Sequence, residues 1–143
     1  MAKVPGRPLD PEMYLRLGKV VGNGQALELL ITLLLMKTLR NREAAPRIAG
    51  RLGVAQTLDL IGELTTDPAI KAWLPQARQA IVARNEAVHT AWFFEPEVGV
   101  WDRRTLEEKP RSPDELDKVV QLLHDAIDAA RASFFTDPGA DEI

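Results

Sequence analysis

Arginine, asparagine and histidine sit together once in this chain, in the stretch ARNEAVHTAWF from Ala83 to Phe93. His89 is one of two histidines among 143 residues. Imidazole changes charge near neutral pH, so it can accept or deliver a proton in a transition state. Arg84 carries a permanent cation whose planar fork matches carboxylate and phosphate oxygens. Asn85, four residues before His89, shares its side of a helix and can bond either the ring or a ligand held in common. The set is suited to receiving a phosphate and moving a proton beside it. The same three residues also fit a partly exposed polar cluster at a helix end.

The position of Arg84 is the unusual part. Ile70, Trp73, Leu74, Ala77, Ile81, Val88 and Trp92 follow one another at steps of one, three, four and seven, as the core-facing stripe of a helix does. Position 84 should continue that stripe, and it holds arginine instead. A guanidinium on a core stripe is costly unless an anion or hydrogen-bond acceptor meets it. Either a carboxylate of the chain answers it, or it lines a cleft that receives something negative. Arg84 and His89 are separated by about 140° around a regular helix, so they do not face one point within one copy. Two copies of the helix crossing at a twofold axis would bring them together, as would unwinding near Thr90.

The elements that must position these groups read as helices. Asp10 with Pro11, Asp67 with Pro68, and Ser112 with Pro113 and Glu115 repeat one start signal, an N-capping side chain before a proline at the first helical position. Helices are expected from Pro11 to Val21, Gln25 to Arg40, Ala55 to Leu64, Pro68 to Trp92 and Pro113 to Phe135, with a short helical turn from Pro46 to Leu52. The glycines of Gly22–Gly24 are read as a break between the first two. The last helix carries its own stripe, Leu116, Val119, Val120, Leu123, Ile127, Ala130 and Phe134. Between the last two helices, VGVW with its aromatic and charged neighbours leaves room for a small hairpin. The expected fold is all-α, a bundle of four to five helices. Residues 1–9 read as a mobile arm, 10–136 as one domain and 137–143 as an acidic tail.

Composition narrows the function classes. The absence of cysteine removes thiolate chemistry, disulfides and cysteine–zinc sites. A net charge of −3 argues against a broad footprint for duplex nucleic acid, but leaves room for a few local cations on one phosphate. The most apolar run, Ala26 to Met36, is about half the ~20 residues of a membrane span and contains Glu28, so it reads as a core helix. The N-terminal residues lack the apolar region of a signal peptide, and a cytoplasmic location with no membrane association is expected.

RNEAVH, on a long helix followed by an aromatic segment and a closing amphipathic helix, resembles the Arg-x4-His motif of the HEPN superfamily. The apolar helix GQALELLITLLLM upstream is also similar to small members of that group, so the resemblance covers Gln25 to Phe135. It implies a helical bundle that dimerises through its motif helices. It also implies metal-independent endoribonuclease activity, often in toxins or phage-defence effectors, or a non-catalytic module that binds a nucleotide, an antitoxin or a protein. Arg84 and His89 match the signature positions, and Asn85 matches the polar position after the arginine. In metal-free RNA cleavage a base takes the proton of the ribose 2′-hydroxyl, and that oxygen attacks the adjacent phosphorus. An acid protonates the leaving oxygen, and a cyclic 2′,3′-phosphate remains; imidazole and guanidinium suit these roles. The resemblance thus implies catalytic Arg84, His89 and Asn85, no cofactor and no metal. The implied partners are a second copy, an RNA substrate, and an antitoxin or nucleotidyltransferase-type protein.

Other candidates are weaker. Glu28 fits a carboxylate at the core edge, or the anion that holds Arg84. His124, beside Asp125, reads as a surface histidine, and two distant histidines do not make a metal site. Trp73 and Trp92 lie on the stripe and fit core packing better than base stacking, whereas Trp101 is open to either. Arg103, Arg104, Lys109 and Arg111 lie in a loop diluted by Glu107 and Glu108.

Overall fold

A computed structural model of the chain describes residues 11–94, 98–102, 108–110 and 113–135, with side chains described outside 90–112. The described residues form five helices: α1 (Pro11–Leu39), α2 (Ala44–Leu52), α3 (Val54–Leu64), α4 (Pro68–His89) and α5 (Asp114–Phe134). The architecture is an all-α bundle. α1 runs through it against the other four, and α4 packs on α1, α3 and α5.

The first difference from expectation lies in α1. One helix of 29 residues passes without interruption through Gly22, Asn23 and Gly24. Glycine lowers helix propensity by only about 1 kcal/mol, which the burial of Met13, Val20, Leu27, Ile31, Leu34 and Leu35 exceeds. By length and composition α1 is apolar enough to cross a membrane, with a mean hydropathy of 1.3 over its most apolar window. Its buried residues face the other helices.

α4 is the second. Its helix stops at His89, and Thr90–Phe94 forms β1. β1 pairs with β2 (Val98–Asp102), which pairs with β3 (Glu108–Pro110), giving an antiparallel three-stranded meander in place of a single hairpin. TAWFF is rich in β-branched and aromatic residues, and strand pairing satisfies its backbone without a helix. The expected stripe therefore ends early: Trp92 is a strand residue, and Val88 is exposed. The seam α4 buries runs through Trp73, Ala77, Ala80 and Ile81 to Ala87.

Short polar devices set the turns. Asp67 caps α4 as expected, accepting from the Ala69 N–H at 2.9 Å. Asn41 Oδ1 accepts from the N–H groups of Glu43 and Ala44 at the start of α2, after Arg40 turns the chain with φ of 55°. Gly53, with φ of 78°, joins α2 to α3. The capping roles read for Asp10 and Ser112 lie outside the described residues.

The apolar interior falls into two clusters. The larger joins Leu27, Ile31, Leu34 and Leu35 of α1 to Trp73, Ala77, Ala80 and Ile81 of α4 and Leu123, Ala126 and Ala130 of α5. The smaller joins Met13 and Val20 of α1 to Ala87 of α4 and Leu116 of α5. On α1 the gap between clusters falls between Val20 and Leu27, and on α4 between Ile81 and Ala87. Gly24 and Arg84 occupy those gaps.

Candidate active site

Arg84 lies across α1 where Gly24 leaves no side chain. A Cβ at position 24 would sit 2.9 Å from Arg84 Cγ, 3.1 Å from Nη1 and 3.3 Å from Cδ. Real carbon contacts are not that short, so the guanidinium reaches its place only over a glycine. Val20, Gly24, Leu27 and Ile31 follow one another at steps of four, three and four, which marks position 24 as a core-facing place on α1. That spacing was the signal for Gly24, and composition alone reads it as a break.

One turn further along α1, Glu28 Oε1 accepts a hydrogen bond from Arg84 Nη2 at 2.7 Å. Arg84 Nε donates to Asn85 Oδ1 at 2.8 Å. The arginine side chain is 14% exposed and the glutamate 36%. The carboxylate expected as one of two answers to the buried cation is therefore present. The pair is half-sheltered, so its charge-assisted hydrogen bonds fix geometry more than they add stability. Two of the five guanidinium N–H donors make these bonds.

His89 occupies the last position of α4 and is exposed. α4 is helical through that residue, so Arg84 and His89 keep the separation of about 140° that the helix imposes. Unwinding before Thr90 does not bring them together. Asn85, also exposed, bonds Arg84, and among the described residues His89 has no hydrogen-bond partner. The three motif residues thus divide into a held cation with its amide, and a free imidazole around the helix from it.

His124 is exposed on α5, and its neighbour Asp125 accepts from Gln121 at 2.8 Å. Trp73 is a core residue: its indole Nε1–H donates to the Ala126 carbonyl at 3.0 Å, and its ring meets Phe134 edge-on at 5.7 Å. The side chains of Trp92, Trp101 and Lys109, and all of Arg103, Arg104 and Arg111, lie outside the described residues. Among the described residues no three metal-ligand side chains cluster.

The glycines of α1 give a direct check on this arrangement. A Cβ at Gly22 meets nothing within 4 Å. Gly22→Ala is expected to raise stability by roughly 0.5–1 kcal/mol through helix propensity alone. Gly24→Ala is expected to lower it by roughly 1–2 kcal/mol, because the new methyl displaces Arg84 from Glu28. Urea unfolding of the two variants side by side reads the difference; equal stabilisation by both would place the arginine elsewhere.

No family model, no curated protein and no solved structure matches the chain.

Proposed function

We propose that this chain is a HEPN-like protomer whose paired copies form a metal-independent endoribonuclease of the toxin or phage-defence kind, working in the cytoplasm. The observation that carries the reading is the posture of the motif. Arg84 is held from both sides by Glu28 and Asn85, while His89 stands exposed at the end of the same rigid helix. A prepositioned cation needs no reorganisation when charge develops on a phosphoryl group, and an exposed imidazole can reach a ribose hydroxyl.

Because α4 does not unwind, one copy cannot aim both groups at one phosphate, and two copies crossing at α4 would. Val82, Asn85 and His89 share one face of α4 at steps of three and four, and all three are exposed. Val21 and Leu29, two turns apart on α1, are exposed as well. Val82, on the same face as the motif residues, gives a twofold interface an apolar side chain to bury. Across it, His89 of one copy acts as base and that of the other as acid, with Arg84 on the phosphoryl oxygens and Asn85 keeping its guanidinium in plane.

One observation favours the second reading, a non-catalytic module that binds a nucleotide, an antitoxin or another protein. The charge of Arg84 is already met by Glu28 at 2.7 Å, which weakens its pull on a substrate phosphate. Single-stranded RNA incubated with the protein in excess EDTA separates the two. The nuclease reading expects cleavage that chelation leaves unchanged, with 2′,3′-cyclic phosphate ends and a dimer in solution. Chelator-sensitive cleavage, or none, overturns it.

A further inference from the structure

Glu28 belongs to two neighbourhoods. Besides meeting Arg84, it lines a groove of about 390 Å³ between α1, α2 and α3. That volume lies within the roughly 300–1,000 Å³ of small-molecule sites. Ile31, Ala49 and Val54 supply apolar wall, and Gly50 and Gly53 leave the α2–α3 corner without side chains. No lysine, arginine or histidine lines it.

The polar groups along the groove are acceptors. Thr32 Oγ1 donates its hydrogen to the Glu28 carbonyl at 3.1 Å, and Thr57 Oγ1 donates its own to the Gly53 carbonyl at 2.6 Å. Each hydroxyl is left with lone pairs to offer, and the Glu28 carboxylate offers only lone pairs. Such a lining offers phosphate no donor of its own and suits a flat, neutral group that carries N–H donors. Among the four RNA bases, guanine alone presents two adjacent donors on its pairing edge, N1–H and N2–H, at the spacing of a carboxylate. Adenine and cytosine set an acceptor beside their amino group, and uracil flanks its N–H with two carbonyls. Bases of single-stranded RNA are read at that edge once splayed from the stack.

We infer that the α1–α2–α3 groove binds a guanine base of the RNA, with Glu28 accepting from its N1–H and N2–H while Arg84, on the other side of the same carboxylate, faces the backbone phosphate. The inference rests on the nuclease reading for its substrate and gives that site a base preference. One glutamate then ties base recognition to the posture of the cation.

Gly50 supplies a test that spares the fold. A Cβ there meets nothing within 4 Å, and replacing a helical glycine favours the helix. Gly50→Leu is expected to fill the groove without lowering the unfolding midpoint. Calorimetric titration of the full chain with the 3′-monophosphates of guanosine, adenosine, cytidine and uridine reads the site. The wild type is expected to bind the guanosine compound at least about tenfold tighter than the other three, and Gly50→Leu to lose at least about tenfold of that affinity. Equal binding of all four, no binding of any, or an unchanged affinity in Gly50→Leu overturns the inference. Cleavage mapping in EDTA keeps the two readings apart. Guanosine binding that Gly50→Leu abolishes, in a wild type that cleaves nothing, supports the groove and sinks the nuclease. Cleavage without base preference, equal in wild type and Gly50→Leu, supports the nuclease and sinks the groove.

Discussion

Replacing His89 by alanine is expected to slow metal-independent RNA cleavage by about 10²- to 10⁴-fold, the span that a positioned acid or base contributes. The size of the loss follows from the absence of a stand-in. His124 lies on α5, and no other imidazole exists in the chain. Stability should hold, because His89 is exposed and has no described hydrogen bond; exposed substitutions of this kind stay within about 0.5 kcal/mol. A gel-based cleavage assay in EDTA, paired with thermal unfolding, reads both quantities. Cleavage at wild-type rate by the alanine variant removes His89 from the mechanism, and with it the nuclease reading. A variant that is slow because it is unfolded would show itself in the melting curve.

Trp73→Ala is expected to cost about 3–5 kcal/mol of stability, the range for emptying a buried aromatic site. Trp73 is 5% exposed and lies where α4 meets α5. Its indole does three things at once: it fills the interior, bonds the Ala126 carbonyl at 3.0 Å and packs edge-on against Phe134 at an interplanar angle of 81°. Trp73→Phe should separate these roles, keeping most of the volume and losing the N–H donor at a cost of about 1–2 kcal/mol. Urea denaturation of both variants reads the ladder. A loss below 1 kcal/mol for the alanine variant would mean the core does not depend on this ring. The effect should reach RNA cleavage only through the folded fraction, since Trp73 is eleven residues from Arg84 along the helix.

The bundle was legible because helical periodicity is a local property that survives in the sequence. Pro68 and Asp67 mark the start of α4 by chemistry that acts within one turn, and Leu116, Leu123 and Ala130 mark the inner face of α5 by spacing. α1 departs from its local signals for a physical reason. Propensity treats the glycines of VGNGQ as a stop, whereas burial on both sides of them carries the helix through. Which glycine matters depends on a residue sixty positions later in the chain, and no local rule contains that information. The end of α4 was misjudged by three residues because Val88 and Trp92 keep the apolar rhythm while the backbone changes partner, from its own helix to β2.

Within the site, the anomaly at position 84 was visible as a charge where the stripe required an apolar group, and Glu28 was a candidate to meet it. The structure joins the two at 2.7 Å. Spacing lets Asn85 bond the His89 ring or a ligand held in common; in the structure its Oδ1 accepts from Arg84, its neighbour in sequence. The groove that Glu28 shares with Thr32 and Thr57 left no trace in composition, since its walls come from three helices and its floor from glycines.

A cation seated in a notch has a mechanical meaning as well. Sliding α4 by one turn along α1 would carry the guanidinium off its glycine and press it against Val20 or Leu27, both fully buried among apolar neighbours. Apolar contacts alone tolerate such a slip, because one aliphatic ledge resembles the next; a lone polar layer does not, as single buried asparagines demonstrate in coiled coils. The Gly24–Arg84 step therefore acts as a key that admits one alignment of the two helices. Every exposed group on α4 down to its last imidazole inherits its height from that one tooth.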